Sequence, residues 1–231
     1  MRPWYQEDED VYLIFARRGI QIQDFPSVKA YLEKYRERLE PKPKDWNEEK
    51  AWPGRKPGSY KWYELQDSVD YFKGFEGSKI VWPDIAKIPR FSWDESGQYL
   101  TNTGYVIPTN EPFLLGYLQS RVVWELISKI ALHNKYRGGL WEYRLIFQFI
   151  SRLPIPNASG AERKVIGELA MAITAEAKAR YALHREAHAR ILGELGATDK
   201  KLNNKLTAWW DLDFPAFRDE IRKVFKLSLI H

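Results

Sequence analysis

Lys79-Ile80-Val81-Trp82-Pro83-Asp84-Ile85 is the run on which the fold turns. A short apolar segment closed by a proline reads as a strand. Around it lie three more short strand patterns, at residues 90–93, 99–100 and 104–107, separated by Pro, Asp-Glu and Ser-Gly turn signals. Upstream, residues 11–16 form an apolar run ended by Arg17-Arg18-Gly19, which reads as a buried strand. Asp24-Phe25-Pro26-Ser27 then marks a helix start with Ser27 as N-cap, and Tyr31, Leu32, Tyr35 and Leu39 supply its stripe. Pro41 and Pro43 stop that helix. Residues 41–61 hold Pro, Lys, Glu and Gly with few aliphatics and read as an extended, exposed loop.

Downstream, Pro112 opens a helix to about residue 132, with a stripe of Leu115, Leu118, Val122, Leu126 and Ile130. Gly138-Gly139 ends that region, and residues 140–153 suit strand and helix equally. Pro154 and Pro156 break the chain, after which the composition changes. Residues 161–195 are rich in Ala, Glu, Arg and Leu, with apolar residues at helical spacing from Ile166 to Leu195. A helix of that length runs to roughly 50 Å at 1.5 Å per residue. Two shorter helices are expected at 202–210 and 214–225. The expected fold is α+β: a mixed-sheet domain over residues 1–156, then a helical region over 157–231 with one long and two shorter helices.

The chain has 231 residues, 44% of them hydrophobic, enough for a real core. No stretch approaches the ~18 consecutive apolar residues of a membrane span. The acidic Glu7 to Asp10 region does not suit a signal peptide. Absence of cysteine removes disulfides and Cys-ligated zinc, and a cytoplasmic protein fits. Net charge is +5 and the pI about 9.2, a mild pointer to a polyanionic partner.

The basic residues are clustered rather than spread. Arg17-Arg18, Arg55-Lys56 with Lys61, Lys135 to Arg137, and Lys200-Lys201 with Lys205 stand out. In the loop, residues 52–62 interleave Arg55, Lys56 and Lys61 with Trp52, Tyr60 and Trp62, a pattern suited to phosphate and base contacts. The same pattern fits a Pro/Gly loop with solvated charges and tryptophan anchors beneath it. Arg17-Arg18 fits a phosphate clamp and ordinary strand-end charge alike. Trp209-Trp210 with Phe214, Phe217 and Phe225 reads as core between terminal helices, or as a docking patch for another domain.

Two catalytic constellations fit poorly. Pro83-Asp84 and Glu162-Arg163-Lys164 can be forced into a PD…ExK metal site, but the second element lies beyond the Pro154/Pro156 break, so Asp84 reads better as a turn cap. His184 and His188 share one helix face without the Glu directly after the first His that a zincin needs. No catalytic or metal residue is therefore assigned.

Several motifs recur in a fixed order: Trp62-Tyr63-Glu64-Leu65-Gln66, the 79–85 run, Thr101-Asn102-Thr103-Gly104-Tyr105-Val106-Ile107-Pro108, Leu114-Leu115-Gly116 and Leu153-Pro154-Ile155-Pro156. Together they resemble the C-terminal specificity (target recognition) domain of TaqI-like adenine-N6 DNA methyltransferases and fused type II restriction-modification enzymes. The resemblance runs from about Tyr12 to Pro156. Residues 205–225, with Trp209-Trp210-Asp211-Leu212-Asp213-Phe214, also look like the tail of that group.

The resemblance implies a domain that faces a methyltransferase domain across double-stranded DNA and reads base edges, mainly in the major groove. The Asn-Pro-Pro-Tyr type of motif that holds a flipped adenine in that class is missing, as is a glycine-rich cofactor turn. S-adenosylmethionine is thus expected on a separate catalytic domain or subunit, with no cofactor on this chain. The residues expected to contact DNA are Arg55, Lys56, Tyr60 and Lys61, then Arg17, Arg18, Lys135 and Arg137. The alternatives are a protein-interaction subunit docked through the long helix, and a Mg²⁺-dependent nuclease.

Overall fold

β2 (Lys79–Pro83) is the central strand of the main sheet. A computed structural model describes residues 2–7, 10–47 and 49–225 of the chain. In it β2 pairs antiparallel with β4 (Ser92–Asp94) on one side and β5 (Gly104–Pro108) on the other. β1 (Trp4–Tyr5) adds parallel to β4, giving the order β1-β4-β2-β5, a mixed sheet. A second, three-stranded sheet follows the order β3-β7-β6, with β3 (Ile85–Ala86), β6 (His133–Arg137) and β7 (Leu140–Arg144).

Trp82 explains why the 79–85 run sits at the centre. It is buried, its ring stacks on Tyr105 with centroids 5.5 Å apart, and its indole N–H donates to the Leu145 carbonyl at 2.7 Å. One side chain thereby joins both sheets, and a buried indole needs such an acceptor. Lys79 is also fully buried, with its ammonium against the Asp94 carboxylate, its cross-strand neighbour, and donating to Phe75 O at 2.7 Å. A charge at that depth persists only when paired and hydrogen-bonded.

The expected 112–132 helix is two helices. α3 (Pro112–Leu118) ends at Gln119, and α4 (Arg121–Ile130) restarts with the Ser120 hydroxyl accepting from Val123 N–H at 3.2 Å. That cap shifts the helical phase, so Val122 is 81% exposed and Val123 takes the buried position. α5 (Phe147–Ile150) follows β7, so the undecided 140–153 stretch contains a strand and a helix in turn.

α6 (Gly160–Glu194) is the long helix expected, opened by a capping box between Ser159 and Glu162. It lies close on α3, because a Cβ on Gly116 would sit 2.8 Å from Ile166 Cγ2 and one on Gly167 3.3 Å from Phe113 N. Ala170 of α6 belongs to the main core with Ile80, Phe91, Leu115 and Ile127. Thr174 donates to Trp4 O at 3.3 Å, and Tyr181 stacks on Tyr5. A second small core gathers Leu192, Leu195, Leu206, Phe217, Ile221 and Phe225 from the end of α6, α7 (Asn204–Thr207) and α8 (Phe214–Phe225). No helix among the described residues is long and apolar enough to cross a membrane.

Four local expectations are corrected. Residues 11–16 form no strand; Val11 is 81% and Tyr12 89% exposed, because the run has no strand to pair with and only its end is tied, by Leu65 N–H to Ala16 O at 2.7 Å. Residues 99–100 are likewise not a strand. α1 (Pro26–Glu33) takes Phe25 as N-cap with Pro26 in the first turn, so Ser27 is already inside the helix. Neither α1 nor α2 (Arg36–Leu39) buries a residue, and Tyr31 and Tyr35 pack only on each other, 5.4 Å apart, with both faces open to solvent.

Candidate nucleic-acid interface

The 41–61 loop is held by one arginine. Arg55 Nε donates to Leu39 O at 2.6 Å, Nη1 to Glu64 O at 2.7 Å, and Nη2 to Trp62 O at 2.7 Å and Lys61 O at 3.3 Å. Its backbone N–H reaches Glu40 O and its carbonyl accepts from Lys42 N–H, forming a bridge with Pro41. Trp52 donates its indole N–H to the same Glu40 carbonyl at 3.2 Å. Tyr60 is buried, its hydroxyl donates to Lys56 O, and the Arg55 guanidinium lies 4.5 Å over its ring. Arg55 and Tyr60 are thus the frame of the loop, and their groups point inward to backbone carbonyls and to each other.

Glu64 ties the loop to the Arg17-Arg18-Gly19 corner. It is buried, and its carboxylate accepts Gly19 N–H at 2.9 Å and Lys61 N–H at 2.8 Å. Burial opposes its ionisation, but the two backbone donors with Lys61 and Arg18 nearby outweigh it and hold its pKa below the usual carboxylate range. Arg18 donates to Gln66 O at 2.8 Å and lies over the Tyr60 ring; Arg17 lies over Phe72. Lys56 pairs with Asp67 at 3.0 Å with both ends exposed, an arrangement a competing phosphate can displace. Its ammonium lowers the Asp67 pKa. Lys61 is exposed, with Tyr63 beside it pushing its pKa up, so it is a full cation.

Lys135 and Arg137 lie apart from this cluster, on the β6–β7 hairpin. Every residue of β6 is exposed, as are Leu140 and Trp141 at the start of β7. Gly138 and Gly139 form the tip with φ of +61° and +77°, the two-residue turn whose twist matches a hairpin. One face is aromatic: Tyr136 against Trp141 at 5.2 Å, and His133 against Trp141 and Tyr143. Two residues, Asn134 and Lys135, oppose the single Glu142, a bulge. The base is pinned by Tyr143 on Trp124 and by Arg144 gripping both Asp84 oxygens at 3.0 and 2.9 Å, and beside the tip Lys87 donates to Arg137 O. Among the described residues neither Lys135 nor the Arg137 guanidinium has an ion-pair partner.

The carboxylates of the forced nuclease pattern are occupied elsewhere. Asp84 serves Arg144, and Glu162 caps α6. Among the described residues no group of three His, Asp or Glu side chains is placed to hold a metal ion. His184 stacks on Trp210 with centroids 4.0 Å apart, and His188 shares a hydrogen bond with Thr207 O, so both pack the C-terminal helices on α6. Burial, with Arg180, His188 and Arg2 nearby, lowers the His184 pKa. Trp209, Trp210 and Phe214 remain partly exposed rather than forming core.

The model of the TaqI-like C-terminal specificity domain matches residues 10–155. The chain belongs to that family. A domain of unknown function, DUF8810, matches residues 159–230, from the Ser159 cap onward. Among characterised proteins the chain is similar to the type II methyltransferase M.BanIII of Aneurinibacillus aneurinilyticus, 28% identical over 152 residues. That match covers 61% of this chain and 23% of the relative, so the chain spans under a quarter of that protein's length.

Within the specificity domain, residues 101–108 and 154–156 of the motifs that carried the resemblance bury no residue, while Glu64, Ile80 to Trp82, Leu115 and Leu153 are buried. They build the scaffold. The hairpin was missed from sequence, although Gly-Gly between two polar-aromatic runs is a hairpin signal.

Proposed function

We propose that this chain is the DNA-recognition module of a restriction-modification or phage-defence adenine-N6 methyltransferase and that a separate domain or subunit performs the methylation. The observation that carries this reading is the family match over residues 10–155, and the similarity to a type II methyltransferase agrees with it. The contact set is narrower than the sequence suggests. Lys56, Lys61, Arg17, Lys135 and Arg137 present cations outward, while Arg55 and Tyr60 support them from within. Phosphate contacts from the lysines would position the duplex, and base contacts would specify its sequence.

On this reading S-adenosylmethionine stays off this chain. Among the described residues no glycine-rich turn joins a strand to a helix. A cleft of about 630 Å³ between the 10–15 segment and residues 96–101 is an open groove. The cofactor belongs, on this reading, to the catalytic partner. Exposed Val165, Leu169 and Ile173, spaced i, i+4, i+8 on α6, favour a second role as the seat of that methyltransferase polypeptide.

The test is anisotropy titration of a labelled random duplex pool with the chain, alone and with its cognate methyltransferase polypeptide. Affinity should fall steeply between 50 and 200 mM salt, on the order of tenfold or more if several phosphates are neutralised. Absence of duplex binding in both states would remove the reading.

A further inference from the structure

The β6–β7 hairpin stabilises little by itself: β6 buries no residue, and an isolated two-stranded ribbon is marginal in water. Even so, it keeps Tyr136 60% and Trp141 43% exposed near its tip, beside two cationic side chains with no ion-pair partner among the described residues. Exposed aromatics and unpaired charge on a projecting element have no account in folding and mark a contact surface. Its anchoring is rigid, through Arg144 to Asp84, Tyr143 to Trp124 and Lys87 to Arg137 O.

We propose, resting on the DNA-recognition reading above, that this ribbon enters the DNA major groove tip first and that Arg137 is a specificity-determining residue that reads guanine. The major groove, about 12 Å wide and about 8.5 Å deep, admits a two-stranded ribbon. From His133 to the glycine tip the ribbon runs about 17 Å at ~3.4 Å per residue, with the Arg137 carbonyl held by Lys87 beside the tip. The glycines add no side chain at the tip, so Arg137, next to them, is the first long donor to meet the base edges. Its planar fork matches O6 and N7 of guanine. Lys135 lies about 7 Å further back along the strand, near the groove rim, where phosphates run. The bulge at Asn134-Lys135 turns that position out of the regular alternation, as bulges re-aim side chains. Among the described residues neither cationic side chain has an ion-pair partner to give up on engaging DNA.

Selection from a random duplex pool with the chain and its cognate methyltransferase polypeptide separates the roles. Arg137→Ala should relax the selected site at one guanine position, with discrimination there falling roughly tenfold or more. Lys135→Ala should leave the site unchanged, weaken all sequences alike and reduce the salt slope by about 1. Both variants should melt like the wild type, since both positions are exposed. An Arg137→Ala protein with an unaltered site overturns the inference. Loss of co-purification with the methyltransferase polypeptide, without a change of site, overturns it too and makes the ribbon a protein contact. A wild-type complex that selects no sequence removes the DNA-recognition reading itself.

Discussion

Arg55 separates a frame from a contact surface, and its replacement can be worked through. Arg55→Ala removes three short hydrogen bonds from a guanidinium to Leu39, Glu64 and Trp62 carbonyls, at 2.6 to 2.7 Å, and a weaker one to Lys61. Bonds from a charged donor contribute about 1.5–3 kcal/mol each. The site is half-buried, so water re-solvates part of what is lost, and bonds sharing one side chain do not add. A loss of about 3 kcal/mol is expected, or a fall in Tm of roughly 6–12 °C for a chain of this size. Arg55→Lys is the sharper variant, because it keeps the charge and loses the fork. If Arg55 is frame, Arg55→Lys destabilises the protein in urea while the salt dependence of duplex binding keeps its slope. If Arg55 instead holds a phosphate, Arg55→Lys keeps its stability, and Arg55→Ala melts normally but loses about one unit of slope. The second pattern would refute the reasoning.

Glu64→Gln should lower stability near neutral pH and converge on the wild type in acid. The folded pKa of Glu64 is depressed, so its contribution is fully present above the ordinary carboxylate pKa and is lost as pH falls through the folded value. Urea midpoints of both proteins followed downward from pH 6 check this, and a difference that does not narrow as the carboxylate is protonated would contradict it. Gly116→Leu should cost about 1–3 kcal/mol or more despite better helix propensity, because α6 stands where the new side chain must go; an unchanged melting curve would contradict that close approach. Lys79→Met should cost about 3–5 kcal/mol by leaving Asp94 buried without its cation, and adding Asp94→Leu should recover most of it. Equal instability of the single and double variants would show that the pair is not the reason.

What was legible in the sequence followed from burial. The 79–85 run and residues 160–194 announce themselves because one is apolar enough to sit at a sheet centre and the other repeats its small and apolar residues at helical spacing. Residues 11–16 misled for the same reason: an apolar run does not say whether a neighbouring strand exists to receive it, and here none does. The α3–α4 break rests on Ser120, whose capping role depends on a backbone turn that no glycine or proline signals. The β6–β7 hairpin buries too little to impose a period of two, so only its glycine pair betrays it. Arg55 and Lys56 look alike as neighbouring cations, yet one has four carbonyl acceptors from two chain segments and the other one exposed acid. Composition reveals charge, whereas partners come from tertiary structure.

That difference decides which positions can change without loss of the fold. Of the motifs that place the chain in its family, Glu64, Ile80 to Trp82, Leu115 and Leu153 are buried, and there substitution leaves cavities or unpaired polar groups. The exposed side chains of Lys135 and Arg137 make no ion pair among the described residues, so replacing them costs within about 0.5 kcal/mol. A recognition module built this way holds its scaffold with one set of residues and addresses its target with another. Two cations side by side in the loop, Arg55 and Lys56, then fall on opposite sides of that division, and charge maps drawn from sequence alone merge what the backbone keeps apart.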